Sequence, residues 1–504
     1  MLTTPSFEYL LLSPMLIILA AAVIGVLAEA FASRSNLPMI QFFISLGAIL
    51  LALIQIYRIR GATSTSAAIG SVVIDKSAIY LQATILIVGL FSLLLIADQE
   101  QFVSQASAIP GSAEEQESNV RGRIQTEIYP LLSFALSGMM LFTCASDLIT
   151  LFVALEVFSL PLYLLAGLSR RRRLLSQEAA LKYFLLGAYS SAFFLFGAAF
   201  LYGISGSVYL TDIASAVSGG FGNDVFVLIG LVFISVGLLF KISAVPFHAW
   251  TPDVYQGAPT SVTAFMAAAT KVAAFGAILR IFYVVFSPIA AQWRPIISVI
   301  AIITMVFGSA VAIAQRDVKR MLAFSSIAHA GFILTGVIAL NKSGLSASLF
   351  YLTTYAFSTL AAFGVITLVR DATGEVTDLN KWAGLGKKSP LIAGAFAFLL
   401  LSFAGIPLTS GFIGKFAIFS AAYETGNIAV VVFGVLSSAL AAFFYIRVIL
   451  LMFISEPQID SVSIAIPSLR SRIAITTTTA ASLILGIFPS LLLNLTQSFA
   501  LFIK

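Results

Sequence analysis

Long apolar runs separated by short polar breaks fill the chain, and within the runs apolar and polar residues do not alternate one by one. Crossing a bilayer by helix takes roughly 20 consecutive apolar residues. By that measure fourteen runs emerge, near 9–31, 37–57, 78–98, 127–145, 147–168, 178–204, 224–250, 259–285, 295–314, 320–340, 346–369, 389–422, 427–454 and 471–500. A membrane barrel would show segments of about 10 residues with strict alternation. The pattern therefore predicts an all-α integral membrane protein with about 14 transmembrane helices.

Composition sharpens this reading. Of 504 residues, 60% are hydrophobic and 10% charged, and the mean hydropathy is +1.03, far outside the range of soluble domains. The opening MLTTPSFEYLL has no basic stretch ahead of its apolar residues, so it reads as a retained first span and not as a cleaved signal. One cysteine, Cys144, excludes an internal disulfide and a cysteine-held iron–sulfur cluster. The two histidines, His248 and His329, lie far apart without metal-ligand spacing. No metal or cofactor is expected on this chain, and any redox chemistry belongs to a partner.

The net charge of +6 sorts by loop. With an even number of spans both ends lie on one side, and the loops after odd-numbered spans share the other. Those loops carry SRRRRLLSQE with Arg170 to Arg173, AQRDVKR, RDATGEVTDLNKWAGLGKKS and SLRSR. The even loops carry fewer basic residues, among them Lys76, Arg294 and Lys342. Basic loops stay in the cytoplasm, so both termini are expected on the outer face. The charge is thus a topology signal and gives no reason to expect nucleic-acid binding. The polar loop from about 99 to 126 is expected to be mobile.

Ionisable residues at membrane depth usually face a protein interior or water, which makes each a candidate site. The competing explanation is snorkelling, in which a long side chain near a helix end reaches the interface. Depth decides. Lys241 lies roughly 15 Å from the nearer surface by helical rise, beyond snorkelling reach. Lys271, in SVTAFMAAATKVAAFGAILR, is also mid-bilayer. Glu156 stands nine residues past Asp147 and fourteen before Arg170. Lys415 is nine residues before Glu424, among glycines that favour close helix packing. Lys182, four residues after Glu178, can pair with it near the surface. His329 sits among small and hydroxylated residues, where it either satisfies a hydrogen bond or relays a proton. His248 reads as interfacial.

An acid, several lysines and a histidine thus share one depth on different helices. A carboxylate favours the charged form of a nearby amine, while burial alone disfavours it. Varying the distance between Glu156 and Lys241 would let the lysine take a proton from one side and release it to the other. Pro246 and Pro407, the latter flanked by Gly405 and Gly411, are expected to break spans 7 and 12. A plain structural kink is the alternative for each. Two broken spans five apart point to two inverted five-helix repeats, spans 4–8 and 9–13. Glu156 and Lys241 lie 85 residues apart and His329 and Lys415 lie 86 apart, which agrees loosely with such a repeat. The corresponding division is 1–126, three helices and a cytoplasmic loop; 127–285, the first repeat; 286–454, the second; and 455–504, a C-terminal helix.

The segment KISAVPFHAWTPDVYQGAPTSVTAFMAAATKVAAF resembles the signature of the antiporter-like membrane subunits of respiratory complex I, a family shared with multisubunit cation/proton antiporters and membrane-bound hydrogenases. The likeness extends over essentially the whole chain, through Glu156 before PLYLL, Lys182 in ALKYFLLGA, KRMLAFSSIAHAGF and GIPLTSGFIGKF. The acidic stretch near 114–117 and the run of four arginines depart from the family pattern.

The resemblance implies a non-redox, proton-translocating subunit of NADH:quinone oxidoreductase. It also implies NADH, FMN, iron–sulfur clusters and quinone in partner subunits, with other membrane subunits and a peripheral arm as partners. The expected location is a bacterial inner membrane, or a thylakoid or mitochondrial inner membrane for an organellar chain. By the same resemblance Glu156 would tune Lys241, then Lys241, Lys271 and His329 would form a central axis, and Lys415 would lead to the exit. A cation/proton antiporter subunit is the alternative, and a purely structural scaffold comes third.

Overall fold

In the computed structural model, the described residues are 7–61, 65–98, 125–169, 173–220, 224–371, 374–456 and 462–502. The polar loop 99–124 and Arg170 to Arg172 lie outside them. Helices occupy every apolar run. In chain order they are α1 (Tyr9–Phe31), α2 (Leu37–Ile59), α3 (Lys76–Ile96), α4 (Ile128–Cys144), α5 (Leu148–Ala166), α6 (Arg173–Ser205), the short α7 (Leu210–Ser218), α8 (Val225–Ile242), α9 (Trp250–Gly257), α10 (Thr260–Arg280), α11 (Ala290–Ile313), α12 (Val318–Ala339) and α13 (Lys342–Leu368). After them come α14 (Pro390–Ala404), α15 (Ser410–Glu424), α16 (Ile428–Phe453), α17 (Leu469–Ile487) and α18 (Ser490–Phe499).

Among the described residues, eleven helices are long and apolar enough to cross a membrane, or twelve if the bent pair α17 and α18 counts as one span. The expected count of 14 also takes in the shorter α4 and the broken pair of α14 and α15. The last predicted span, 471–500, is not straight. It bends by 88° at Phe488 and Pro489, because the proline cannot continue the hydrogen-bond ladder of α17.

Aspartates start several helices at the polar edges. Asp75, Asp147, Asp224 and Asp317 each accept a hydrogen bond from a first-turn amide, which satisfies a donor that the helix itself leaves open. Short strands join the edges: a hairpin of Thr65–Ala67 with Val72–Ile74, and a three-stranded antiparallel sheet in which Val369–Asp371 lies between Gly374–Glu375 and Ser463–Ile464. The apolar runs carried no signal for them.

Layering follows from side-chain size. Helices α10 and α12 are surrounded by protein on every side, and α13 almost so. Their sequences are rich in Ala, Gly, Ser and Thr, which let backbones approach closely where lipid provides no hydrophobic drive. The outer helices α1, α2, α6 and α16 instead present exposed Leu, Ile, Val and Phe, as a lipid-facing surface requires. Lys271 on α10 and His329 on α12 therefore sit at the centre of the molecule.

Both expected helix breaks are present. Helix α8 ends at Ile242, Ser243 turns left-handed at φ 66°, and the chain passes Pro246 before α9 begins. Helix α14 ends at Ala404, Gly405 takes φ 80°, and the chain passes Pro407 before α15. Glycine is needed at 405 on two counts: the left-handed conformation, and the side chain of Lys415, whose Cδ would lie 2.9 Å from an added Cβ.

Candidate functional site

The site is built on these interruptions. Lys241 lies in the last turn of α8, one residue before the helix ends, and it is buried. Its Nζ has no hydrogen-bond partner. Four rings surround it, with centroids at 5.2 Å for Phe158 and Tyr183, 5.4 Å for Tyr163 and 5.8 Å for Phe240. Ring faces attract a cation at such distances, but they do not replace an anion. Glu156, half-buried on α5, is within electrostatic range of Lys241 but makes no ion pair with it. One oxygen of its carboxylate is buried without a partner. An acid is thus held near Lys241 but not in contact with it.

Behind this box, Tyr183 stacks on Trp250 with centroids 4.4 Å apart, and the Trp250 indole N–H donates to the carbonyl of Phe240 at 3.0 Å. This carbonyl, in the last turn of α8, also accepts from the amide of Ser243 at 3.0 Å.

Deeper in the chain, Lys271 donates to the carbonyl of Ser326 on α12 and lies 5.4 Å from the Tyr355 ring. Tyr355 donates to the Ser326 hydroxyl at 2.9 Å. One helical turn along α12, His329 Nδ1 is 2.7 Å from the Tyr351 hydroxyl, and its Nε2 has no partner. Lys271 and Lys415 are both within electrostatic range of His329. A second hydroxyl pair, Ser325 with Tyr445, borders the same helix.

Lys415 reaches back from α15 across the break. Its Nζ donates to the carbonyls of Phe403 at 2.8 Å and Ala404 at 3.0 Å, and to the Ser438 hydroxyl at 2.8 Å. Three acceptors match the three donors of an ammonium group. Two of them are terminal carbonyls of α14, where the helix dipole favours a cation.

Five of the expected residues thus stand on five central elements, in the order Glu156, Lys241, Lys271, His329, Lys415. Lys182 stands apart. Its side chain is 40% exposed and pairs with Glu178 at 2.5 Å, as the spacing predicted. It pairs also with Asp253 at 2.5 Å. Asp253, on α9, binds Arg320 of α12 at 2.6 Å as well. This triad ties the first broken span to the base of the helix that carries His329. His248 is half-buried, its ring 4.6 Å from that of Phe307.

Since ion pairs exposed to this degree contribute little, we expect Lys182→Gln to lower coupled activity by less than about fivefold. Asp253→Ala, which releases Arg320 as well, should cost more. Steady-state proton uptake by inverted vesicles carrying each variant compares them, and equal losses would dissolve the distinction.

Sequence reasoning missed three features. Lys319 is buried and donates to the carbonyl of Ala258 at 2.7 Å. The tyrosines that line the lysines went unweighed, because an aromatic residue in an apolar run looks like core. The third is a buried ion pair, Arg280 with Asp75, bonded at 2.9 and 3.1 Å. Arg280 marks the end of a run, and that position hid its burial.

Residues 145–466 match the family described as NADH:quinone oxidoreductase/Mrp antiporter, TM. The chain is 53% identical to the NADH-quinone oxidoreductase subunit N of Rhodococcus opacus, over 99% of this chain and 97% of that one. It is 52% identical to the NADH-quinone oxidoreductase subunit N 3 of Streptomyces griseus, over 100% and 96%. Among solved structures, a chain of respiratory complex I from Thermus thermophilus with bound aureothin superposes with a TM-score of 0.79 at 32% identity, covering 95% of this chain and 98% of that one. A chain of the Mrp complex from Dietzia gives 0.80 at 23% identity, over 98% and 97%, which is a likeness of fold.

Proposed function

Because the chain belongs to the NADH:quinone oxidoreductase/Mrp antiporter family of membrane subunits, we propose that it moves protons across the membrane as the subunit N of NADH:quinone oxidoreductase. The observation that carries this reading is the set of ionisable groups on α5, α8, α10, α12 and α15, four of them buried, with Lys241 and Lys415 beside the two helix breaks. A scaffold has no use for such groups at membrane depth.

In this reading a proton reaches Lys241 from one side while Glu156 is close, because the carboxylate favours the ammonium form. Retreat of the carboxylate releases the proton towards Lys271. His329, anchored at Nδ1 by Tyr351, passes it on through its other nitrogen. Lys415 receives it at the second break. Residues 127–285 and 286–454 would be two inverted units of one path. Electron transfer from NADH through FMN and iron–sulfur clusters to quinone would take place in partner subunits and drive the path at a distance. Neighbouring membrane subunits would cover the lateral faces, in a bacterial inner membrane with both termini outside.

Exchange of sodium or potassium for protons is the second reading, favoured by the likeness to the Mrp chain. Hard cations want several oxygen ligands. A row of amines with one carboxylate supplies few.

Inverted vesicles from a strain lacking this chain, complemented with the wild-type gene, test the choice. NADH-driven proton uptake should return in sodium- and potassium-free medium and stay unchanged when either cation is added. Uptake that appears only with added cation would make the exchange reading the better one.

A further inference from the structure

A cavity of about 500 Å³ opens at one membrane edge between the end of α11, the start of α12 and the last turns of α16. None of the axis residues lines it. Its polar side chains include Arg316, Arg447 and Asn380, and its apolar walls include Phe443, Phe444 and Leu450. Arg447 donates once, to the carbonyl of Ile313 at 3.1 Å. The Arg316 carbonyl accepts from the amide of Leu379 at 2.8 Å, but its guanidinium makes no hydrogen bond or ion pair among the described residues. Each guanidinium has five N–H donors in a planar fork suited to phosphate, so most of the donors here are open.

Neither Asp317 nor Asp378 forms an ion pair with these arginines among the described residues. Asp317 accepts from the amides of Lys319 and Arg320 and from Gln256, and Asp378 accepts from the amide of Asn380. Neither lines the cavity. Arg447 lies six residues before the end of α16, about 9 Å by helical rise. Phe443 and Phe444 lie one turn deeper. Two cations at interfacial depth above an apolar groove match a phosphate headgroup with its acyl chains below.

We propose that this cavity is a binding site for an anionic phospholipid, with Arg316 and Arg447 holding the phosphate and the groove between α11 and α16 holding an acyl chain. Zwitterionic lipid fits less well, because its ammonium offsets the charge that the two arginines recognise. A helix of a neighbouring subunit would have to bring an acidic side chain to each guanidinium. The floor of the site includes Met321, one turn before Ser325 on the helix that carries His329. The lipid would therefore brace the base of α12.

The test uses the whole complex, purified and delipidated, from the wild type and from the Arg316→Gln/Arg447→Gln double variant. Phosphatidylglycerol and phosphatidylcholine in mixed micelles are titrated against each, and the lipid retained on this subunit is read by native mass spectrometry. Each basic residue near a membrane surface adds roughly a fivefold preference for anionic lipid, so the double variant should bind phosphatidylglycerol about 30-fold more weakly. Arg316→Lys/Arg447→Lys should keep most of the binding, which separates lost charge from lost folding.

Equal binding of the two lipids by the wild type, or unchanged binding by the double variant, overturns the proposal. So does equally strong binding of inorganic phosphate. A photo-crosslinker at Ile454 that captures a neighbouring polypeptide in the assembled complex, and no lipid, overturns it as well.

Discussion

Lys241→Ala should stop proton pumping while leaving the complex assembled. Proton transfer by a positioned side chain contributes roughly 10²-fold or more, so NADH-driven uptake into inverted vesicles should fall on the order of a hundredfold at matched assembly. The informative partner is Lys241→Arg. Arginine keeps the cation within reach of the rings of Phe158, Tyr163 and Tyr183, yet it does not give up its proton. A group that merely holds charge in the box would be rescued by arginine, whereas a group that must release a proton would not. Pumping restored by Lys241→Arg would remove Lys241 from the path and leave it a structural cation. Unchanged pumping in Lys241→Ala would do the same.

Arg280→Ala should have the largest effect on stability. Arg280 is 2% exposed and its partner Asp75 is 0% exposed, so the substitution strands a buried carboxylate. Breaking a buried pair from one side costs about 3–5 kcal/mol, enough to deplete the assembled protein. The bond to the carbonyl of Thr143 at 3.1 Å is lost as well. The double variant Asp75→Asn/Arg280→Met tests the cause, since asparagine keeps the capping role at the start of α3 and methionine fills apolar space. It should recover most of the lost material. Band intensity on native gels and the melting midpoint in detergent report both. A double variant no better than Arg280→Ala would show that packing of the guanidinium, and not the stranded charge, sets the cost.

Much of this was legible in the residues because lipid imposes few choices. Backbone groups in oil must pair within the segment, so an apolar run of sufficient length becomes a helix; Pro246 and Pro407 fall at breaks, while Pro161 stays inside α5. Lys241, Lys271, His329 and Lys415 stand out because an ionisable group beyond snorkelling reach of a surface is costly in oil. What spacing could not supply is contact between helices distant in sequence. Lys182 and Glu178 are neighbours along one helix, so their pair was visible, but Asp253, 71 residues on, was not. Asp75 and Arg280, 205 residues apart, meet only after α3 packs against α10. The bend before α18 was missed because Pro489 lies near the end of its run, where a helix end and a sharp turn read alike.

On the proposed path, the two bonds from Lys415 across the second break and its bond to Ser438 would make its proton a mechanical part. Its ammonium is a pin through a hinge: α15 carries the pin, while Phe403 and Ala404 of α14 are the knuckles. When the proton leaves, one of three donors leaves with it, and the two half-helices are held less firmly. Linkage makes this reciprocal, so any force that opens the hinge changes the hold of Lys415 on its proton by the same free energy. A pull arriving along α14 or α15 from a neighbouring subunit would thereby be converted directly into proton release, with no electron carrier needed in this chain.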